Sequence, residues 1–210
     1  MAINKKNLDE ITSYLKNFNN SSLIIVTKKQ LNADILELID LGYKYFAENK
    51  VQEAMIKYLP ILDKFEIKLD MIGPLQTNKV KDALQLFDGI HSIDRKKVID
   101  EIILQKNKKK IKTERFFIQV NIGEEKQKSG VLPNELDYLY EYSINQNLEI
   151  YGLMCIPPND NNSDKYFEQM VKLKNKINKN LKLSMGMSND YQQALVSGSD
   201  LIRIGSLIFQ

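Results

Sequence analysis

Residues 22–29 read S-L-I-I-V-T-K-K, and the interpretation of the whole chain starts from this stretch. Its four consecutive apolar residues, 23–26, are typical of a β-strand that is buried on both faces. Lys28 and Lys29 follow where that strand opens into a loop. A lysine in such a place can be desolvated, lose its proton and react with an aldehyde. The alternative, from this stretch alone, is that both lysines are solvated loop residues.

Strand and helix patterns alternate along the rest of the chain. Apolar runs predict eight strands, at residues 23–26, 43–47, 67–72, 89–93, 115–121, 148–154, 181–185 and 201–204. Helical spacing and end signals such as Gly42, Asp94 and Pro133 predict eight helices, at residues 7–18, 32–41, 50–59, 78–87, 94–106, 133–145, 163–178 and 190–196. Strict β-α alternation requires a parallel sheet, and eight units close a (β/α)8 TIM barrel. An open doubly wound sheet is the alternative.

The predicted barrel forms one domain, 1–210, because the chain contains no linker, low-complexity tract or shift of composition. The first helix, within residues 1–20, precedes strand 1 and stands outside the alternation. Apolar residues make up 43% of the chain and charged residues 27%, which is the usage of an ordinary globular protein.

Charge and residue counts exclude several classes of function. A net charge of +3 from 30 basic and 27 acidic residues is too balanced for a nucleic-acid or membrane surface. A single histidine, His91, excludes a multi-histidine metal site. A Ser–His–Asp triad would have to use His91, and the chain has no G-x-S-x-G nucleophile elbow to supply its serine. A single cysteine, Cys155, excludes an intrachain disulfide and favours a reducing compartment. The N-terminus lacks the apolar core of a signal peptide, so we expect a cytoplasmic protein.

Two loops of the predicted barrel are suited to a phosphate group. Barrels often bind phosphate with the loops after strands 7 and 8, where these residues are Gly186-Met187-Ser188-Asn189 and Gly205-Ser206. Arg203 adds a cation at the end of strand 8, which adjoins strand 1 and Lys28 in a closed barrel. An amine, a phosphate site and a cation together fit pyridoxal 5′-phosphate.

The chain resembles the pyridoxal phosphate homeostasis proteins, which consist of an alanine-racemase-like barrel alone. The resemblance covers nearly the whole chain. It is carried by I-I-V-T-K at 24–28, F-A-E-N-K-V-Q-E at 46–53, I-G-P-L-Q-T-N-K at 72–79, H-S-I-D-R at 91–95, Q-V-N-I at 119–122, K-S-G at 128–130, Y-G-L-M at 151–154, S-M-G-M-S-N-D at 184–190 and G-S-D-L-I-R-I-G-S-L-I-F at 198–209.

The resemblance implies a role for six residues in binding the cofactor. Lys28, rather than Lys29, occupies the V-S/T-K position of the family and would form the Schiff base. Asn49 would lie near the ring. The remaining four residues would hold the phosphate or face the pyridine nitrogen, namely Ser188, Gly205 and Ser206 for the phosphate and Arg203 for the nitrogen.

The resemblance also implies a carrier of the cofactor rather than an enzyme. An arginine opposite the ring nitrogen leaves that nitrogen unprotonated and makes the cofactor a poor electron sink. Racemases of this fold use a tyrosine from a further C-terminal β-domain, and we expect no such domain because residue 210 lies just past strand 8. The implied partners are the cofactor and, transiently, apo-enzymes that depend on it, and we expect a monomer. A weak amino-acid racemase is the alternative, and a Schiff-base aldolase acting on a sugar phosphate is a third possibility.

Two departures from the family pattern concern Asp70 and the end of the chain. The family usually has an aromatic-His-aromatic sequence before I-G, whereas this chain has Leu69-Asp70-Met71. The tail after Phe209 is also shorter than usual. Among the other polar residues, we interpret His91 and Cys155 as structural, and Glu48 and Glu53 as acid/base candidates or helix-terminus carboxylates.

Overall fold

A computed structural model describes residues 3–209. Eight strands pair in parallel, each with the next along the chain, and the last pairs with the first to close a barrel. The strands are β1 (Ser22–Val26), β2 (Tyr45–Glu48), β3 (Lys68–Met71), β4 (Gly89–Ile93), β5 (Arg115–Val120), β6 (Gly152–Cys155), β7 (Lys182–Ser184) and β8 (Leu201–Ile204). The predicted (β/α)8 TIM barrel is therefore confirmed.

Within residues 3–209, eight α-helices surround the barrel. They are α1 (Lys5–Leu15), α2 (Asn32–Asp40), α3 (Val51–Leu62), α4 (Val80–Leu86), α5 (Lys96–Lys108), α6 (Leu136–Asn145), α7 (Ser163–Ile177) and α8 (Tyr191–Val196), with a 3₁₀ turn at Thr77–Lys79. No helix within residues 3–209 is both long and apolar enough to cross a membrane.

Helix α1 precedes β1, as predicted, and lies between α8 and α2 in the outer ring. Tyr14 packs edge-on against Tyr191 of α8, with 6.0 Å between the ring centroids, and Lys5 pairs with Glu37 of α2 at 2.9 Å. The backbone N–H of Asn4 donates to the Ile208 carbonyl at 2.8 Å. The first helix thus fills the place in the ring that a helix after β8 occupies in a regular barrel.

Two separate apolar clusters account for the packing. The larger lies between the barrel and the helices, where the outward-facing residues of the strands meet the inward stripes of the helices. The smaller lies inside the barrel and includes Ile24, Val26, Ala47, Phe117 and Met154. The interior also contains polar side chains, which are described below.

Many boundaries differ from the predictions by one to four residues, and the largest shifts at the start of an element are those of α6 and β6. Helix α6 begins at Leu136 and not at Pro133, because residues 132–135 form a separate turn closed by Glu135 N–H donating to the Leu132 carbonyl. Strand β6 begins at Gly152, although Leu148 and Ile150 are buried, because those two residues pack as a loop.

Asp94 does not cap α5, contrary to the prediction. The N-cap is Arg95, and the Asp94 carboxylate instead accepts a hydrogen bond from the Arg95 guanidinium at 2.5 Å. A second Arg95 nitrogen donates to the Leu75 carbonyl at 2.9 Å.

Candidate functional site

A cavity of about 410 Å³ opens at the C-terminal ends of the strands. All six residues selected from the sequence line it. The full lining is Val26, Lys28, Asn49, Ile72, Gly73, Pro74, Ile156, Met187, Ser188, Asn189, Arg203, Gly205 and Ser206. The structure therefore brings together residues from the loops after β1, β2, β7 and β8, on the face of the barrel where such folds carry their chemistry.

Lys28 projects from a tight turn directly after β1. Gln30 N–H donates to the Thr27 carbonyl at 3.0 Å, and Lys29 has φ 65°, the positive value that the third residue of a type II turn adopts. The Lys28 side chain is exposed at the cavity mouth. In the structure Lys28 is thus an exposed loop residue that also lines the cavity, which agrees with the solvated alternative for this stretch.

A buried carboxylate behind that turn fixes its position. Glu48 Oε1 accepts hydrogen bonds from Thr27 Oγ1 and from Lys57 Nζ, each at 2.8 Å. Lys57 Nζ also donates to the Thr27 carbonyl at 2.9 Å. Glu48 is fully buried and is absent from the cavity lining, so its place in the structure is that of a support for the Lys28 turn.

One further residue, Tyr58, completes this support. The Tyr58 hydroxyl lies 2.7 Å from Thr27 Oγ1, and burial raises the pKa of Tyr58. Glu53, the other acid/base candidate, pairs at 2.6 Å with Lys50 and does not line the cavity. The sequence offered no signal for Lys57 or Tyr58, because both lie on α3 at positions that look like ordinary helix residues.

Asn49 lies on the cavity wall with one unused polar atom. Its Oδ1 is buried and has no hydrogen-bond partner within residues 3–209. Gly73 packs against the Asn49 backbone so closely that a Cβ at residue 73 would lie 2.1 Å from the Asn49 carbonyl oxygen. The side chain of Asn49 is therefore held on a rigid backbone with an acceptor free for a ligand.

The two predicted phosphate loops meet across the cavity. Ser206 Oγ donates to Ser188 Oγ at 2.8 Å, which joins the loop after β8 to the loop after β7. The backbone N–H groups of Ser188, Gly205 and Ser206 donate to no acceptor within residues 3–209. A Cβ at residue 205 would lie 2.9 Å from the Val26 carbonyl oxygen, so glycine is needed for β8 to approach β1 here. Hydroxyls and free N–H groups make this corner suitable for an oxyanion.

Arg203 supplies a buried positive charge at the cavity floor. Its side chain is 3% exposed, and its two terminal nitrogens donate to Ser184 Oγ at 2.7 Å and to the Cys155 carbonyl at 2.8 Å. Burial lowers the pKa of Arg203, and its guanidinium forms no salt bridge with a carboxylate of residues 3–209. An anionic ligand in the cavity would therefore meet a buried cation that has no direct carboxylate partner within residues 3–209.

Cys155 lies next to this arginine but is not available for chemistry. Burial raises the pKa of its thiol to about 12, and it is fully buried. A thiol at ordinary pH is then protonated and packs as a small apolar group.

Comparison with known proteins places this geometry in context. A family model described as the N-terminal domain of alanine racemase matches residues 3–210. A pyridoxal phosphate homeostasis protein of Aquifex aeolicus is 38% identical, over 83% of this chain and 80% of its own length. The protein of the same name in Escherichia coli K12 is 34% identical, over 90% of this chain and 84% of its own length.

Solved structures of similar proteins have the same fold. PipY of Synechococcus elongatus, in a structure without pyridoxal phosphate (PLP), is 30% identical and has a TM-score of 0.87, over 98% of this chain and 99% of its own chain. The PLP-bound form of PipY has a TM-score of 0.83 over the same shares, at 28% identity. Alanine racemase of Corynebacterium glutamicum, at 16% identity, has a TM-score of 0.68, covers 98% of this chain and 61% of its own, and shares the fold.

Proposed function

The chain belongs to the alanine racemase N-terminal domain family and, within it, to the pyridoxal phosphate homeostasis proteins, and from this we propose that it binds pyridoxal 5′-phosphate in the 410 Å³ cavity. The proposal assigns the Schiff base to Lys28. It assigns to the protein the holding and release of the cofactor, without enzymatic turnover.

The residues that line the cavity fit each part of this cofactor. Lys28 offers a primary amine for the aldehyde, and Asn49 Oδ1 offers an unused acceptor for a ring hydroxyl. The Ser188 and Ser206 hydroxyls, with the free N–H groups beside them, offer donors to the phosphate. This convergence of amine, acceptor and phosphate donors on one cavity is the observation that carries the proposal.

Lys28 would hold the cofactor covalently, its deprotonated Nζ taking the aldehyde carbon with loss of water. When bound, the cofactor supplies an electrophilic carbon and a ring that can delocalise negative charge. Arg203 opposes the second property when it faces the ring nitrogen, because a guanidinium keeps its own protons and leaves that nitrogen unprotonated. The Lys57–Glu48 pair keeps the Lys28 turn in place for this attachment.

The absence of turnover is supported by the nature of the cavity walls. Lys28 and Arg203 are the ionisable side chains of the lining, and the other lining residues are apolar, amide, hydroxyl or glycine. Racemisation needs a proton donor and a proton acceptor on opposite faces of the substrate, whereas Lys28 serves one face. The exposed position of Lys28 instead favours exchange of the cofactor with solvent and with other proteins.

We extend the proposal to partners and location. The chain would act as a monomer that passes the cofactor to apo-enzymes in transient encounters, in the cytoplasm or another reducing compartment that suits its free cysteine. Mixing the loaded protein with an apo-enzyme and following the recovery of that enzyme's activity tests the transfer. Recovery no faster than with the same concentration of free cofactor would contradict it.

Absorption spectroscopy tests the attachment directly. Wild type, Lys28→Ala and Lys29→Ala would be titrated with pyridoxal 5′-phosphate, because the neighbouring lysine is a matched control on the same turn. We expect a visible band that borohydride bleaches in wild type and Lys29→Ala, and no such band in Lys28→Ala. A band that survives in Lys28→Ala, or its loss in Lys29→Ala alone, would overturn the assignment.

Turnover is tested separately with the loaded protein. L-alanine incubated with wild type should remain the L-enantiomer within the background set by free cofactor. Racemisation that requires Lys28 would overturn the non-enzymatic part of the proposal and leave cofactor binding intact.

A further inference from the structure

A chain of hydrogen bonds leads from Arg203 away from the cavity and through the inside of the barrel. Arg203 Nη1 donates to Ser184 Oγ at 2.7 Å, Ser184 Oγ lies 2.9 Å from His91 Nδ1, and His91 Nε2 lies 2.9 Å from Asp70 Oδ2. These four side chains come from β8, β7, β4 and β3, and none is more than 3% exposed. We call them the barrel relay.

The far end of the barrel relay is a carboxylate with three donors. Arg115 donates to Asp70 Oδ1 at 2.9 Å, and the Tyr45 hydroxyl donates to Asp70 Oδ2 at 2.6 Å, in addition to the bond from His91. Burial opposes ionisation of Asp70, but the bonds and charges of His91, Arg115 and Tyr45 outweigh it and hold its pKa below the usual value. Asp70 is therefore an anion that anchors the relay.

One arrangement of protons satisfies every bond in the relay. An arginine only donates, so Ser184 Oγ accepts from Arg203 and directs its own hydrogen to His91 Nδ1. His91 then carries its proton on Nε2 and donates it to Asp70. A second proton on Nδ1 would leave the Ser184 hydroxyl hydrogen without this acceptor in a fully buried site, at the cost of an unmade hydrogen bond.

The surroundings of His91 favour the same neutral form. Burial lowers its pKa, and the positive charges of Arg203 and Arg115 lower it further, while Asp70 acts in the opposite direction. The plane of the His91 ring is also fixed, because the ring stacks on Phe117 with 4.0 Å between centroids and 28° between planes. Position and proton placement are thus both determined.

We propose that Ser184, His91 and Asp70 are positioning residues, which hold the Arg203 guanidinium in the orientation that faces the cofactor ring. The proposal rests on the function proposed above. Arg203 has two anchors, and one of them, the Cys155 carbonyl, is backbone and fixed. Ser184 is the side-chain anchor, and its hydroxyl hydrogen is directed away from Arg203 as long as His91 Nδ1 is unprotonated and accepts it. Asp70 fixes this tautomer by accepting the proton of His91 Nε2.

This role gives a physical meaning to the departure at residue 70. The family pattern that the sequence resembles has a histidine there, whereas Asp70 here is the carboxylate acceptor at the end of the relay. Through His91 and Ser184, each bond is polarised in the same direction, from cation to anion, which strengthens all three.

Nitrogen-15 NMR of the histidine ring tests the proton placement without any ligand. His91 is the only histidine of the chain, so its two ring nitrogens need no assignment by mutation. We expect a protonated Nε2 and an unprotonated Nδ1 from about pH 6.5, the usual histidine pKa, up to pH 8. An imidazolium or an Nδ1–H tautomer in this range would overturn the relay. In Asp70→Asn we expect the pure Nε2–H signal to be lost.

Affinity measurements test the positioning role. Ser184→Ala should weaken pyridoxal 5′-phosphate binding about tenfold, the equivalent of one hydrogen bond to a charged group, and should shift the pH profile of the visible band. Ser143→Ala is the matched control, because Ser143 is also fully buried and bonds a carbonyl, that of Leu139, away from the cavity. It should leave affinity and band unchanged, and Ser184→Thr should restore most of the affinity.

The outcomes separate this inference from the proposed function. If wild type binds the cofactor and Ser184→Ala behaves like Ser143→Ala in affinity and in the pH profile, the relay does not position Arg203 and the inference is wrong. If wild type forms no visible band at all, the proposed function fails, and the inference that rests on it fails with it, whatever the state of the histidine.

Discussion

The mouth of the cavity and the inside of the barrel are built in opposite ways. At the mouth, Lys28 and Ser206 are exposed side chains on turns, held in place by their backbones. In the interior, Asp70, His91 and Ser184 are fully buried and are held by one another. A change at the mouth should therefore reduce ligand binding with little effect on folding, whereas a change in the interior should destabilise the fold itself.

The largest effect is expected for Asp70→Ala. The change leaves His91, Arg115 and the Tyr45 hydroxyl without their shared acceptor in a buried site. We expect a loss of about 3–5 kcal/mol in the free energy of unfolding, the usual result of removing one partner from a buried ion pair. Urea denaturation measures it. Asp137→Ala, which removes a carboxylate paired with Lys176 at the surface, is the control and should cost under about 1 kcal/mol. Equal losses in the two variants would contradict the contrast.

Gly73→Ala should be an exception to this contrast. Gly73 lies at the mouth of the cavity, yet its substitution should destabilise the fold. Its Cβ would meet the Asn49 carbonyl oxygen at 2.1 Å, and backbone atoms there must shift. Overpacking of this kind costs about 1–3 kcal/mol. Thermal unfolding measures the loss, with the exposed Gln76→Ala in the same loop as a control expected within about 0.5 kcal/mol. A stability equal to wild type would show that the loop relaxes freely.

The pH dependence of stability tests whether His91 is held in its neutral form inside the barrel. Because the pKa of folded His91 lies below the ordinary histidine value of 6.5, the unfolded chain binds a proton first as the pH falls. Stability should therefore decrease below about pH 6.5, by up to about 1.4 kcal/mol per pH unit, until the folded pKa is reached. The depressed pKa of Asp70 acts in a lower range, where its contribution is lost as the carboxylate is protonated.

Comparison with His91→Gln isolates this contribution. The variant has no histidine, so the decrease should be absent from its own stability curve and should appear in the difference between the two curves. Carboxyl groups such as Asp190, whose pKa burial raises, cancel in that difference. Chemical denaturation at several pH values provides the curves. Parallel curves for wild type and His91→Gln between about pH 5 and pH 6.5 would show that the histidine is not held neutral.

The two regions also differ in how far the sequence predicted them. Residues at the mouth follow directly after apolar runs, and barrel geometry then places Lys28, Ser188 and Ser206 on one face. No spacing rule connects Asp70 to His91 or to Ser184, because their contacts arise from the tilt and register of separate strands. Asp70 was visible in the sequence only as a departure from a family pattern, with no partner to explain it.

Ser206→Ala should have the smallest effect on stability and so mark the other end of the comparison. The exposed hydroxyl donates to Ser188 Oγ at the mouth, and its removal should change the free energy of unfolding by less than about 0.5 kcal/mol. Affinity for pyridoxal 5′-phosphate should nevertheless fall about threefold to tenfold, since one hydrogen bond to the phosphate is lost. Ser22→Ala, an exposed serine at the opposite end of β1, is the control for titration by absorbance and should leave both quantities unchanged. If Ser206→Ala instead lowered stability and left affinity intact, the hydrogen bond between Ser206 and Ser188 would only join the two loops. The phosphate would then have to be held by the backbone N–H groups alone.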